Sequence, residues 1–94
     1  MFIVKSVQKS WLTRTINVST PRGLYEIIYN GQGLGYEEVL VNGQTVSRSS
    51  QFWFVPKFEF YVGKFPAEIE VDISVLLRIK SFKLEIDGEN VYSE

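Results

Sequence analysis

A chain of 94 residues is long enough for one domain with one core, and folding at this size buries only a little over ~60% of the surface that the unfolded chain exposes. Its 45% hydrophobic and 15% aromatic residues exclude a disordered polar segment, and its lack of cysteine excludes a disulfide framework and thiolate metal sites, which suits a reducing, cytoplasmic setting. The net charge of −1 gives no polyanion-binding surplus, and no apolar run approaches the ~20 residues of a bilayer span, so neither a membrane segment nor a secretory signal is expected.

Charge is unevenly placed along the chain. Lys5, Lys9, Arg14 and Arg22 precede the first acid, Glu26, so the first 25 residues carry +4, while the remaining six basic and eleven acidic residues give −5. Strands are expected at residues 2–8 and 11–18, as N-terminal strands docked on the more acidic sheet, with a turn at Thr20-Pro21-Arg22-Gly23 and a third strand at 24–30. A glycine-rich connection follows, in which Gly31, Gly33 and Gly35 alternate. A phosphate loop would need a helix after it, whereas Tyr36-Glu37-Glu38-Val39-Leu40-Val41 reads as strand, so a hairpin connection is the expectation.

Val39-Leu40-Val41 runs into Asn42-Gly43 and returns through Gln44-Thr45-Val46. Asn-Gly favours a type I′ turn because both central residues need positive φ. Residues 52–62 read as a strand broken or bulged at Pro56, and residues 63–66 as a breaker segment. Ile69, Val71 and Ile73 alternate with Glu68, Glu70 and Asp72, and Phe82, Leu84 and Ile86 alternate with Lys83, Glu85 and Asp87; both have the period of a strand with one buried face. Residues 74–80 between them read as strand or as a short helical turn. Asp87-Gly88 then turns the chain into Val91-Tyr92. The stretch from Val41 to Ser47 echoes that from Ile86 to Tyr92, either as pseudo-symmetry or as two hairpins under one turn rule. The fold class is all-β, an antiparallel β-sandwich of about eight strands in a single domain over residues 1–94.

The chemistry available is narrow. Without histidine or cysteine there is no Ser-His-Asp triad, no Cys-His dyad and no common zinc site. Carboxylate pairs exist at Glu37-Glu38 and along Glu68, Glu70 and Asp72, but the latter stripe opposes an apolar stripe, as solubility requires. The reading is of a protein that is not an enzyme, with no catalytic residues, no metal site and no cofactor. Aromatics on a sheet could stack bases, yet a sequence pI near 5.5 provides no positive groove, so nucleic acid is not an expected partner.

The ordered blocks Asn30-Gly31, Gly35, Val39-Leu40-Val41-Asn42-Gly43, Phe52-Trp53-Phe54, Phe60-Tyr61-Val62-Gly63, Ala67 to Asp72, and Leu84-Glu85-Ile86-Asp87-Gly88 resemble the Fas apoptotic inhibitory molecule family. The resemblance covers residues 24–92. It implies a non-catalytic, cytosolic, antiparallel β-sandwich, linked in animals to resistance against death-receptor killing and to protection against protein aggregation. Animal members carry two such domains in tandem, the segment around Val55-Pro56-Lys57 is shorter here, and residues 1–23 have no counterpart. An apoptotic role is therefore not carried over, and the resemblance brings no catalytic residue set.

Two functional classes follow. The first is a protein-interaction module that binds a protein partner or a second copy of itself; the second is a small-ligand or carbohydrate-binding sandwich that uses exposed Trp and Tyr. Both point to Trp53, Tyr61, Tyr36 and Trp11 as binding residues, since Tyr and Trp supply large contact area with few rotors. Along Phe52-Trp53-Phe54-Val55 both faces of a strand are apolar, and the N-terminal segment around Trp11 and Leu12, or a partner, is expected to cover the second face.

Overall fold

A computed structural model describes residues 1–33, 36–49 and 57–94. Among these the chain forms β1 (Ile3–Ser10), β2 (Thr13–Thr20), β3 (Gly23–Asn30), β4 (Glu37–Val41), β5 (Gln44–Ser49), β6 (Lys57–Val62), β7 (Phe65–Ile73), β8 (Ile79–Ile86) and β9 (Glu89–Ser93), and no helix. Strands β1 to β5 make one sheet and β6 to β9 a second, each in sequence order and antiparallel throughout. This is a β-sandwich built from two up-and-down meanders. Its edges approach one another where β5 passes β6 and β1 passes β9. The radius of gyration of 12.4 Å agrees with the ~12 Å of one compact domain of this length.

Period-2 alternation decides which side chains go inside. On β2 the buried apolar residues are Ile16 and Val18, on β3 Ile27 and Tyr29, on β4 Val39 and Val41, on β6 Phe58, Phe60 and Val62. The best-patterned strands of the sequence behave as expected: Ile69 and Val71 on β7, and Phe82, Leu84 and Ile86 on β8, are buried, while Glu70 and Asp72 face outward. Ile73 is only half-buried, because the β7–β8 register shifts between Asp72 and Ile73. Tyr29 sits where the sheets meet, its ring 5.8 Å from both Phe58 and Phe82.

The hairpins sort the molecule into two ends. At the turn end lie the reversals at 21–22, 42–43, 63–64 and 87–88, with Phe2 packed edge-on against Phe65 at 5.1 Å. At the loop end lie Trp11-Leu12, residues 31–33, Tyr36 and the 74–78 loop. Asn42-Gly43 (φ 50° and 82°) and Asp87-Gly88 (φ 53° and 78°) have the same backbone sign at both central residues, as a type I′ turn requires. The sequence echo has a structural counterpart. Each of these hairpins carries a bulge three residues after its glycine, with Val46 unopposed between the Val39–Ser47 and Leu40–Thr45 pairs, and Val91 between the Leu84–Tyr92 and Glu85–Asn90 pairs.

Four expectations are refined. The strands number nine among the described residues rather than about eight. The breaker segment at 63–66 shrinks to the Gly63-Lys64 turn, since Phe65 and Pro66 already belong to β7. Pro66 is tolerated because its carbonyl accepts from Asp87 N–H at 2.7 Å; in an extended strand N and C=O of one residue point the same way, so the missing donor falls at the β8–β9 turn, off the ladder. No helical turn forms at 74–80. The strand expected at 52–62 is present as Lys57–Val62, and residues 52–56, with Trp53 and the apolar run around it, lie outside the described residues.

Candidate functional site

The loop end concentrates features that a packing argument alone does not supply. Ser74 N–H donates to Arg78 O (2.8 Å) and Leu77 N–H to Ser74 O (2.9 Å), which closes a loop of three residues, Val75, Leu76 and Leu77. Ser74 Oγ accepts from Leu76 N–H at 3.3 Å and from Arg78 N–H at 3.4 Å. A three-residue hairpin loop places its third residue in the left-handed region, where glycine is the ordinary choice. Here that residue is Leu77, at φ 58°.

The second bulky residue at positive φ is Trp11, at φ 25° in the β1–β2 turn. Trp11 Nε1–H donates to Leu77 O at 2.8 Å, so the two strained residues hold each other and link a hairpin of one sheet to a hairpin of the other. The remaining non-glycine residues at positive φ among those described are Asn42 and Asp87, which suit type I′ turns. At Trp11 and Leu77 the turns demand a positive φ, and neither side chain is of a type that suits it. The product is an apolar rim: Trp11 is 53% exposed, Val75 85% and Leu76 76%.

Polar contacts fix the floor beneath the rim. Arg14 is buried on the inward face of β2 and forms a two-pronged pair with Glu94, Nε donating to Oε2 at 2.6 Å and Nη2 to Oε1 at 3.1 Å; its Nη1 donates to Thr13 O at 3.0 Å. Tyr92 Oη donates to Glu94 Oε2 at 2.8 Å, and Lys9 Nζ lies 3.9 Å from Oε1. Partial burial raises the Glu94 pKa, but hydrogen bonds from Arg14 and Tyr92 and the charges of Arg14 and Lys9 outweigh it and leave the carboxyl below its ordinary value. The Tyr92 phenol is pushed up to about 12, by burial first and then by its bond to Glu94 and that group's charge.

Deeper in, Tyr29 Oη donates to Glu37 Oε2 at 2.6 Å, and Glu37 is fully buried. Burial, the bond to Glu37 and its charge all hold the Tyr29 phenol in its neutral form. A Cβ on Gly31 would lie 2.6 Å from the Tyr29 hydroxyl, so the first glycine of the 31–36 connection is required by close approach. Gly31 N–H in turn donates to Leu12 O at 2.9 Å and ties the buried end of the Trp11-Leu12 turn to the same network.

The binding residues read from the sequence are split by this geometry. Trp11 and Tyr36 are both at the loop end, Tyr36 71% exposed after the glycine connection. Tyr61 is at the other end, on the outer face of β6, 64% exposed and beside Val46 and Pro66 in a shallow cleft. Trp53 falls outside the described residues. Leu12, expected together with Trp11 as a cover, is buried while Trp11 is not. The sequence reading missed Val75, Leu76 and Leu77. Their signal was available, as three apolar residues between two well-patterned strands with no glycine or asparagine where the turn needs one.

The solvent face of β6, β7 and β8 carries a row of carboxylates, Glu59, Glu68 and Glu85, paired directly across the strands. Glu68, Glu70 and Glu85 bring oxygens within 4.8 Å of one another. Each is also near a lysine: Lys57 lies 3.3 Å from Glu68, and Lys83 lies 3.9 Å from Glu70 and 3.7 Å from Glu85. The Lys57 pKa is raised by its hydrogen bond to Glu68 and by that group's charge. No helix among the described residues is long and apolar enough to cross a membrane. No family model, curated protein or solved structure matches the chain.

Proposed function

We propose that this protein is a non-catalytic interaction module that binds a protein partner through the rim formed by Trp11, Val75 and Leu76. The observation that carries the reading is the Trp11–Leu77 hydrogen bond between two bulky residues at positive φ, which keeps exposed apolar side chains in one arrangement. Strained backbone persists where the surrounding structure over-determines it, and such positions cluster at functional sites. A rim ordered before contact loses less entropy on binding. The resemblance to the Fas apoptotic inhibitory molecule family supports a non-catalytic sandwich, and the lack of cysteine supports a cytoplasmic setting. Net negative charge favours a protein over nucleic acid.

The test is site-specific photocrosslinking from position 76, with position 61 as the control at the opposite end, in lysate of the source organism. Adducts with one defined protein from position 76 and not from position 61, abolished by Val75→Ser, would support the reading. Equal labelling from both positions would sink it. An adduct of twice the chain's mass would replace the partner by a second copy. Val75→Ser and Leu76→Ser should leave the melting transition in place, because both side chains are already in water.

A further inference from the structure

A second feature of the loop end lies away from the apolar rim, across β3, β4 and β5. Asn30, Glu38 and Arg48 stand directly opposite one another on these three strands. They line one side of a cleft of about 360 Å³, whose remaining wall includes Tyr36 and Ser49. This volume is at the small end of the range of ligand pockets. A Cβ on Gly33 would lie 2.5 Å from Tyr36 O, so glycine is required beside the Tyr36 backbone.

The lining is chemically specific. Asn30 Oδ1 already accepts from Gln32 N–H at 3.0 Å and from Thr13 Oγ1–H at 3.4 Å, which leaves its amide NH₂ as a donor. Arg48 and Glu38 bring planar groups of opposite charge that present paired donors and paired acceptors. Ser49 Oγ is buried without a hydrogen-bond partner. A buried hydroxyl in that condition costs stability, and it lies on the inward side of β5 opposite Glu37, behind the cleft surface. Tyr36 contributes a largely exposed ring.

We propose that this cleft binds a neutral saccharide ring, with an apolar ring face on Tyr36 and hydroxyls on Asn30, Glu38 and Arg48. A sugar hydroxyl both donates and accepts, so it can bridge paired planar groups without bringing a charge. A free anion would meet Glu38, and the buried Glu37 behind it; a free cation would meet Arg48. This proposal concerns a surface distinct from the Trp11 rim and does not depend on the partner-binding reading.

The experiment is titration of the ¹⁵N-labelled full chain with glucose, galactose and N-acetylglucosamine, separately and to millimolar concentrations, followed by backbone amide shifts, with inorganic phosphate and lysine as charged controls. The expected result is saturable shifts at Asn30, Glu38, Arg48 and Ser49 for at least one sugar and none for the controls. Tyr36→Ala should weaken that binding by about tenfold with the melting transition unchanged. Ser49→Ala separates ligand binding from packing: it should preserve or raise the melting temperature, because it removes an unsatisfied buried hydroxyl, and should leave sugar binding unchanged. Absence of sugar shifts at these amides, shifts that survive Tyr36→Ala, or preference for phosphate or lysine would each overturn the proposal.

Discussion

Tyr29 has the most consequential single side chain in the chain, because its ring fills the space between the sheets while its hydroxyl serves a buried carboxylate. Tyr29→Phe keeps the ring contacts with Phe58 and Phe82 and removes only the 2.6 Å bond to Glu37. A hydrogen bond to a charged group contributes about 1.5–3 kcal/mol, and that is the expected loss in a denaturant melt. The exposed counterpart Tyr61→Phe should stay within about 0.5 kcal/mol of the parent. Equal effects would mean that the Glu37 carboxylate does not depend on Tyr29. Neither residue announces this role in the sequence. Tyr29 reads as one aromatic in a strand and Glu37 as half of an acidic pair, although Glu37 shares the inward parity of Val39 and Val41 on β4.

At the scale of elements, the strands were legible where one face is dry and the other wet. Glu68 to Ile73 and Phe82 to Asp87 alternate because burial selects every second residue, and both turns marked by Asn-Gly and Asp-Gly form with the φ values that those pairs favour. Gly43→Val and Gly88→Val should each cost roughly 1–3 kcal/mol. An added Cβ meets nothing within 4 Å at either position, so the cost would be purely backbone strain, and a melt within ~0.3 kcal/mol of the parent would argue against it. The 74–78 loop was less legible, because its one signal is the lack of glycine or asparagine where the turn needs one. Leu77 violates the turn rule, and a reader who trusts local propensity sees a helical turn in Val75, Leu76 and Leu77. Leu77→Gly should therefore stabilise the fold by about 1 kcal/mol, since it replaces a leucine in the left-handed region by the residue that suits it. The same substitution should lower partner crosslinking from position 76, because the freed loop no longer fixes Leu76. A stabilised variant with undiminished crosslinking would show that the strain has no part in recognition.

The whole molecule is held at its loop end by groups that lie far apart in the chain, which is why the sequence alone does not disclose them. Arg14 reads as one of four early basic residues that attract an acidic remainder in a general way; the structure gives that attraction one address, the Glu94 carboxylate, 80 residues later. This contact joins the first sheet to the second beneath the Trp11–Leu77 bond, so its ionisation should be coupled to global unfolding. The Glu94 pKa is depressed in the folded protein below its ordinary 4.5, through bonds from Arg14 and Tyr92 that overcome the effect of burial. A carboxyl depressed by folding contributes stability that is present above its unfolded pKa and is lost as pH falls through the folded one. Stability should therefore decline below about pH 4.5, and Glu94→Gln should flatten that acid limb in urea melts taken across the range. Tyr92 adds a second arm with the opposite sign. Its phenol is raised to about 12, so the stability linked to its neutral form is present below the ordinary 10.0 and lost as pH climbs toward 12. In Glu94→Gln the Tyr92 pKa should fall in an ultraviolet phenolate titration but stay above 10.0, because burial, the largest cause of its shift, survives the substitution. An unchanged acid limb with an unchanged phenolate titration would mean that Arg14 and Glu94 do not bridge the sheets in solution.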